Sequence, residues 1–551
     1  MPQRTGAQHL VDALIANGAD IAYGVPGESY LALLDAIHET DGGFRFITCR
    51  QEAGAANMAE AHGKMTGRPG ICMVTRGPGA TQASVGVHTA FQDSTPMILL
   101  IGQVGREMRE REAFQEIDYK AFFHDQAKWV AEINDPARVP EFMARAFATA
   151  MNGRPGPVVL SLPEDMLTET ADAPAIRRVE TAQAAPAPED IERLKQMLAE
   201  AERPFVIYGG TKWSQETVDL AKEFVEANDL PVSCSFRSKD HYDNMGPCYA
   251  GDLGVGPNPK LVERVKNADL VIAFGPRLGE MTTSGYSIFK PPVLEGQRFV
   301  HIHPGAQELG RVYQPDLAIN ATVASAARAL SKVRVEASAW KGQAADAHAE
   351  YLAFAEPVEV KSGVNLSHVF HWLSDNLPTD SILTNGAGNY AAWLHRFYRH
   401  RRCRTQLGPT SGAMGYGVPA GVAAKIRNPE ATVISVNGDG CFLMCGQELA
   451  TAVQHEANVI FMVCDNGAYG TIRMHQERDY PGRVEGTALK NPDFVKFAES
   501  FGVKGLRVEK TEDFASAFET ARDCGRPALL HLICDVEEIA PNRTITGLRG
   551  G

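Results

Sequence analysis

Short apolar segments alternate with longer helical stretches along almost the whole chain of 551 residues, and this alternation constrains the fold most. The apolar segments include "GICMVT", "PMILLIGQ", "PVVLSLP", "DLVIAFGP" and "NVIFMVCDN". They are rich in β-branched residues and end near Gly, Pro or Asn, as the buried strands of parallel sheets do. The alternation therefore predicts α/β architecture, repeated along the chain.

Two stretches interrupt the alternation and divide the chain. Residues 170–190 and 334–362 are rich in Ala, Pro and charged residues, a composition typical of linkers, and the second leaves room for a short helix. We therefore expect three α/β units, at residues 1–170, 188–333 and 363–551. The first and third units share strands that end in glycine-rich loops, which hints at related folds.

Composition and charge disfavour some classes of binding partner and indicate the cellular compartment. A net charge of -13 disfavours nucleic acid and an anionic membrane surface as main partners. No apolar run approaches the roughly 20 residues of a membrane span, and the start reads as an amphipathic helix rather than a signal peptide. The ten scattered cysteines suit a reducing compartment. We therefore expect a cytoplasmic protein.

Two polar clusters at strand ends carry the clearest chemical signal. Asp439 follows the strand "TVISVN" inside Gly-Asp-Gly, and Asn466 follows the strand "NVIFMVCD" inside Asp-Asn-Gly, 27 residues later. This spacing fits one strand–helix–strand crossover, which brings both strand ends to the same edge of a parallel sheet. Ligands bind at that edge in open α/β sheets.

The side chains of these clusters are oxygen donors. The Asp439 carboxylate, the Asn466 amide oxygen and a backbone carbonyl just after Asn466 would suit Mg²⁺ together with phosphate oxygens and a water. Gly438 and Gly440 would let the backbone approach a diphosphate closely. The plainer interpretation is a pair of turns that cap strands, and the joint spacing favours the metal site.

The G-D-G cluster followed one crossover later by Asn resembles the signature of thiamine-diphosphate enzymes. The resemblance implies three doubly wound parallel-sheet domains, named pyrimidine-binding, central and diphosphate-binding. It implies thiamine diphosphate and Mg²⁺ as cofactors. It also implies that Asp439, Asn466 and the carbonyl of Ala468 are the protein ligands of the metal.

The resemblance implies further cofactor contacts. Glu52, at a helix start in "CRQEAGAANMAEAHGK", matches the glutamate that hydrogen-bonds the aminopyrimidine in that family. Met414, in "GPTSGAMGYGVP", matches the bulky residue that bends the cofactor, and the carbonyls of Gly412 and Met414 would contact its amino group. Gly386 and Asn389 in "NGAGNY" would cradle phosphate. The alternatives are a helix-start carboxylate and a core methionine.

In this family one subunit supplies the glutamate and its partner supplies the metal site. The resemblance therefore implies a homodimer with active sites across the interface, paired into a tetramer in many members. A monomer would then contain no complete active centre.

The segments "AFQDSTPMILLIGQV", "GRPGPVVLSLPEDM" and "HQERDYPGR" make nearly the whole chain resemble acetolactate synthase large subunits. In "AFQE", Phe114 and Gln115 match residues that line the active site of those enzymes, although both could equally be structural. The resemblance implies a 2-oxo acid substrate.

Several positions depart from the synthase pattern. Met281 aligns with an arginine that holds the carboxylate of the second 2-oxo acid, and Arg277 lies four positions earlier. His475 stands where the synthases carry a tryptophan. The segment "FVHIHPGAQELG" replaces an acidic segment usual in flavin-binding members, so we expect that FAD is absent and keep its presence as the alternative.

Glu28, in "YGVPGESY", occupies a place where the synthases have a small residue and pyruvate-type decarboxylases carry an aspartate. A second carboxylate near Glu52 could act as an acid if it were desolvated. A solvated carboxylate at a helix start is the alternative. The paired histidines of those decarboxylases are not evident.

The sequence predicts decarboxylation of a 2-oxo acid, with pyruvate as the first candidate, followed by ligation to a second carbonyl compound. Simple decarboxylation, or ligation to an aldehyde, is the runner-up because of Met281. A nucleotide-binding oxidoreductase is an alternative of another class, although no G-x-G-x-x-G follows the first strand. A cofactor-binding regulatory protein without turnover is a third.

Overall fold

The computed structural model describes residues 3–336 and 339–550 and folds them around three six-stranded parallel sheets. Each sheet has helices on both faces, so the predicted fold class of three doubly wound α/β domains is confirmed. All nine of the apolar segments "FRFITC", "GICMVT", "PMILLIGQ", "PVVLSLP", "RPFVIYGG", "DLVIAFGP", "RFVHIHP", "TVISVNGDG" and "NVIFMVCDN" contain a strand.

The N-terminal domain contains β1 (Arg4–Thr5), α1 (Gly6–Ala16), β2 (Ile21–Gly24), α2 (Leu31–His38), β3 (Arg45–Thr48), α3 (Glu52–Thr66), β4 (Gly70–Val74), α4 (Pro78–Asp93), β5 (Met97–Gln103), α5 (Tyr119–Phe122), β6 (Trp129–Glu132), α6 (Val139–Met151), β7 (Pro157–Pro163), α7 (Glu164–Thr168) and β8 (Thr170–Ala171). Strands β1 and β8 pair antiparallel and close the domain.

The central domain contains α8 (Pro188–Ala199), β9 (Pro204–Tyr208), α9 (Gln215–Ala227), β10 (Val232–Ser235), β11 (Tyr249–Leu253), α10 (Pro259–Lys266), β12 (Leu270–Phe274), β13 (Arg298–His303), β14 (Leu317–Asn320), α11 (Val323–Leu330) and α12 (Gln343–Phe354). Helix α12 falls in the second predicted linker. It buries Ala344, Ala347 and Tyr351 against the central domain, so the packed unit reaches beyond residue 333.

The C-terminal domain contains α13 (Leu366–Asn376), β15 (Ile382–Asn385), α14 (Tyr390–Phe397), β16 (Gln406–Leu407), α15 (Gly417–Arg427), β17 (Val433–Gly438), α16 (Asp439–Phe442), α17 (Leu449–Gln454), β18 (Ile460–Asp465), α18 (Gly470–Asp479), α19 (Phe494–Ser500), β19 (Lys504–Val508), α20 (Phe514–Asp523), β20 (Ala528–Ile533) and α21 (Ile545–Leu548).

The first and last sheets share one strand order, 2-1-3-4-6-5 within each domain, whereas the central sheet has the order 3-2-1-4-5-6. This shared strand order agrees with the related folds that the glycine-rich strand ends of the first and third units suggested. One hydrophobic core also runs continuously from the first domain into the last. Small side chains such as Ala56 and Ala59 let α3 approach α15, which contributes Val418 and Val422.

Among the described residues, no helix is both long and apolar enough to cross a membrane. All ten cysteines lie within the described residues and carry free thiols.

Candidate active site

The predicted metal ligands lie at the carboxyl edge of the C-terminal sheet. Gly438 of β17 pairs with Cys464 of β18, so Asp439 and Asp465 follow at equivalent positions, and Asn466 comes one residue later. Because parallel strands end at one edge, the 27-residue spacing places these side chains together.

A cavity of about 820 Å³ opens at this edge, where the three domains meet. Most of the predicted cofactor and metal residues of this domain line it, namely Asn389, Gly412, Met414, Gly438, Asp439, Gly440, Asn466 and Ala468. Gly386 lies buried beside it, where its carbonyl accepts hydrogen bonds from Arg237 and Asn385.

The donor set fits a hard cation. A carboxylate, a carboxamide oxygen and a backbone carbonyl face one cavity, which is the ligand chemistry that Mg²⁺ prefers. The Asn466 side-chain oxygen accepts one hydrogen bond, from the Ala468 N–H at 3.2 Å, and keeps a second lone pair. In residues 3–336 and 339–550 no three His, Cys, Asp or Glu side chains group as a metal centre. Any metal here therefore needs the amide and the carbonyl.

Three predicted cofactor-binding glycines of this domain differ in their surroundings. A side chain at Gly438 would stand 2.8 Å from the Tyr390 ring, and one at Gly440 would stand 2.4 Å from the Tyr469 ring. At Gly412, with φ +72°, a side chain would meet nothing within 4 Å, so this glycine faces open space. Gly438 and Gly440 are therefore required by packing against the two tyrosines, and only Gly412 leaves open space that a bound diphosphate could approach.

A series of hydrogen-bonded side chains, which the sequence did not reveal, contacts Asp439. One Asn491 Nδ2 donates to Asp439 Oδ2 at 2.7 Å and to Asp465 Oδ1 at 2.8 Å. His531 Nε2 lies 2.8 Å from the other Asp465 oxygen. Asn491 thus bridges two neighbouring carboxylates, and His531 contacts the second one. The only local signal was Asp465 itself, directly before Asn466; nothing in the spacing pointed to Asn491.

The two carboxylates titrate differently. Burial raises the pKa of Asp439 to about 6, against the hydrogen bonds from Asn491 and Gly440. Burial alone would also raise the pKa of Asp465, but hydrogen bonds from His531, the Gly467 N–H and Asn491 hold it below its usual value. A carboxylate binds a metal in its ionised form, so any affinity of Asp439 for a cation should fall as the pH drops below about 6.

The predicted residues of the N-terminal domain surround the loop at residues 75–79. Arg76 of this loop contacts Glu28 at 3.3 Å. Gly77 packs closely on Gln115, since a Cβ atom at position 77 would stand 2.8 Å from the Gln115 Cβ. A Cβ atom at Gly79 would stand 3.3 Å from a Glu52 carboxylate oxygen. Glu28, Glu52 and Gln115 are therefore neighbours, but none of them lines the cavity at Asp439.

The positions that depart from the synthase pattern fall in different places. Met281 lines the cavity with 40% of its surface exposed. Arg277 also lines it, but its guanidinium contacts the Gln92 carbonyl at 3.2 Å and Glu308 at 3.4 Å. His475 is exposed on α18 and does not line the cavity.

Comparison with known proteins identifies similar sequences over the whole length. Residues 4–122, 191–330 and 386–532 match the N-terminal, central and C-terminal domain models of thiamine pyrophosphate enzymes. The acetolactate synthase isozyme 2 large subunit of Escherichia coli K12 is 30% identical over 541 residues, covering 97% of each chain. A probable acetolactate synthase large subunit of Methanocaldococcus jannaschii is 31% identical over 559 residues, covering 97% of this chain and 93% of its own.

Proposed function

The chain belongs to the thiamine pyrophosphate enzymes and resembles acetolactate synthase large subunits, and on that premise we propose that it decarboxylates a 2-oxo acid and ligates the remaining fragment to a second carbonyl compound. Pyruvate is the proposed donor. The observation that carries the proposal is the convergence of Asp439, Asn466 and Ala468 on one cavity with glycine-rich walls. Because the chain belongs to this family, we no longer keep a nucleotide-binding oxidoreductase as a working hypothesis.

The residues of the C-terminal edge would bind and orient the cofactor. Asp439, Asn466 and the Ala468 carbonyl would hold Mg²⁺, and the Mg²⁺ would hold the diphosphate. Met414 packs half-buried against the C-terminal core and lines the cavity, where it would shape the bound cofactor. When bound, thiamine diphosphate supplies the nucleophile and the electron sink for decarboxylation.

The residues of the N-terminal edge would act on protons. Glu52 stands at the start of α3 and would hold a proton at the aminopyrimidine ring nitrogen. Gln115 lies on the same loop cluster and would face the substrate. Glu28 is paired with Arg76 and its side chain is 68% exposed, so within one chain it matches the solvated carboxylate at a helix start, and a role as an acid would need a partner subunit to desolvate it.

A second copy of the chain would complete the site. Glu52 and the cavity at Asp439 lie on different domain edges of one chain, so one protomer's Glu52 would serve its partner's cavity. Apolar side chains beside both edges are exposed, including Phe114 at 73%, Ile472 at 54% and Met444 at 44%. Apolar exposure of this kind suits burial in a homodimer interface, and pairing of dimers would give a tetramer.

Met281 supports a second candidate function. An apolar side chain replaces a carboxylate partner in the cavity wall, and the neighbouring Arg277 is already engaged by Glu308. An uncharged aldehyde, or no acceptor at all, would suit this wall better than a second 2-oxo acid. The second candidate is therefore a 2-oxo acid decarboxylase or hydroxy-ketone ligase.

We propose that the enzyme works without flavin. The strand end where flavin-binding synthases carry acidic residues holds His301 and His303, both buried and within 3.1 Å of the carbonyls of Pro276 and Gly305. The cavity does extend into the central domain, so FAD remains the alternative. The visible absorbance of the purified protein, measured before and after denaturation and filtration, decides whether flavin is bound.

The test incubates the protein with thiamine diphosphate, Mg²⁺ and pyruvate, with and without added aldehydes, and separates acetolactate, acetaldehyde and acetoin. We expect acetolactate. Acetaldehyde or an aldehyde-derived hydroxy ketone as the main product would select the second candidate. Cofactor binding without product from any 2-oxo acid would contradict both and favour a regulatory protein.

A further inference from the structure

The helix that begins with Glu52 lacks a local cap. Gln51, the residue before α3, is extended with φ -154° and makes no side-chain capping bond. Backbone N–H groups at a helix start need partners, which most helices find in a side chain close in sequence. Here the N–H of Gln51, the N-cap residue, and the N–H of Arg50 before it find their partner in the C-terminal domain.

Glu448 of the C-terminal domain supplies these bonds. Its Oε1 accepts from the N–H groups of Arg50 and Gln51, both at 3.0 Å. Its side chain is fully buried, and a side chain at Gly54 would stand only 2.5 Å from the same oxygen. The carboxylate therefore lies against the first turn of α3, where negative charge is favoured.

Other bonds fix the two segments together. Arg50 Nη2 donates to Gln454 Oε1 at 2.7 Å, and Gln447 Nε2 donates to Gln51 Oε1 at 3.2 Å. Burial raises the pKa of Glu448, against hydrogen bonds from Thr451 and from the backbone of Arg50 and Gln51. The two residues directly before Glu52 are thus held by the segment that follows Asp439.

We propose that Glu448 is a positioning residue for Glu52, and that it fixes the height and direction from which the Glu52 carboxylate reaches the cofactor. The inference rests on the proposed function. A carboxylate that must meet one ring nitrogen tolerates little displacement, since a misplacement of about 1 Å can cost about 100-fold in rate. Glu448 itself lies behind the helix start and would touch neither cofactor nor substrate.

The first experiment uses the protein without cofactor. Glu448→Leu removes both acceptor oxygens, whereas Glu448→Gln keeps one for the N–H groups of Arg50 and Gln51. Hydrogen exchange at these two amides should become faster in Glu448→Leu and stay close to wild type in Glu448→Gln. Glu448→Asp keeps the charge but moves the carboxylate back by one methylene. It is the variant to use if Glu448→Leu does not fold.

Asp269 offers a matched control in the central domain. It also accepts two successive backbone N–H groups, from Glu202 at 2.7 Å and Arg203 at 2.9 Å. Asp269→Ala should lower thermal stability and speed exchange at residues 202–203. It should leave turnover unchanged, because Asp269 does not line the cavity at Asp439.

The second experiment adds thiamine diphosphate and Mg²⁺. In Glu448→Leu, calorimetric cofactor affinity should stay within a few fold of wild type, while exchange of the thiazolium C2 proton and kcat should both fall by about 100-fold. Glu448→Gln should restore most of both rates.

The outcomes separate the two claims. Proton exchange as fast in Glu448→Leu as in wild type would overturn the positioning role alone, and so would affinity and kcat that fall in parallel. Wild-type protein that binds no thiamine diphosphate would overturn the proposed function, and the positioning role with it.

Discussion

The N-terminal and C-terminal domains share one strand order, yet the carboxyl edges of their sheets carry different groups. The C-terminal edge brings a buried carboxylate, an amide and a carbonyl to a cavity. The N-terminal edge brings Glu28, Glu52 and Gln115 around the loop at residues 75–79, outside that cavity. One topology can therefore fix where a ligand meets the sheet while the residues after each strand decide whether the edge binds a metal or moves a proton.

The two edges also differ in exposure. Asp439 is 3% exposed and held by Asn491, whereas the Glu28 side chain is largely open to solvent. The C-terminal edge is thus enclosed within one chain, and the N-terminal edge is open beside the exposed Phe114. The proposed roles predict that substitutions at the C-terminal edge change cofactor affinity, and that substitutions at the N-terminal edge change turnover.

The largest expected effect sharpens this comparison at the N-terminal edge. Glu52→Gln should lower kcat by about 10²–10⁴-fold, because it removes the proposed proton-transfer group, while cofactor affinity stays within a few fold. Steady-state kinetics and calorimetry measure the two quantities, and Glu189→Gln on the exposed face of α8 is the control. An active Glu52→Gln enzyme would remove the proposed division of roles.

An intermediate effect is expected at the C-terminal edge. Asp439→Asn should weaken Mg²⁺-dependent binding of thiamine diphosphate by about 100-fold or more, since loss of an outer partner of a metal ligand alone costs about 10–100-fold. Calorimetric titration at fixed Mg²⁺ measures it, with the exposed Asp523→Asn as control. Unchanged affinity would show that this edge does not hold the metal.

The smallest effect is expected at Asn491, which donates a hydrogen bond to the proposed metal ligand Asp439. Asn491→Leu leaves Asp439 and Asp465 side by side without their shared donor, and should weaken Mg²⁺ affinity by about 10-fold. Titration of Mg²⁺ at saturating cofactor measures this, and Asn458→Leu, at an exposed asparagine bonded to the Gly525 carbonyl, is the control. Equal Mg²⁺ affinity in the wild type and Asn491→Leu would reduce Asn491 to a packing residue.

The sequence predicted the fold class because buried parallel strands and their glycine-rich ends are local patterns. It also placed Asp439 and Asn466 together, because one crossover connects adjacent strands of the same sheet. Glu448 and Asn491 could not be found in this way. Each acts on a partner that only the tertiary fold brings near, and Arg50 lies 398 residues from Glu448 along the chain.

The helix predicted after Asp439 shows a similar limit. A single helix would suffice for the predicted strand–helix–strand crossover, but the structure divides this segment into α16, a short 3₁₀ helix at Gly446–Glu448 and α17. Cys445 before the 3₁₀ helix has non-helical φ -139°. The break places Glu448 against the first turn of α3, a tertiary contact that local propensity does not encode.

The continuous core between α3 and α15 has a consequence for cooperativity. A domain that shares its interior with another cannot melt alone without exposing apolar surface on both, so the first and last domains should denature in one transition. The central sheet has separate cores and could denature in a transition of its own. Binding energy gained by a ligand at the C-terminal domain would then also raise the melting temperature of the N-terminal domain.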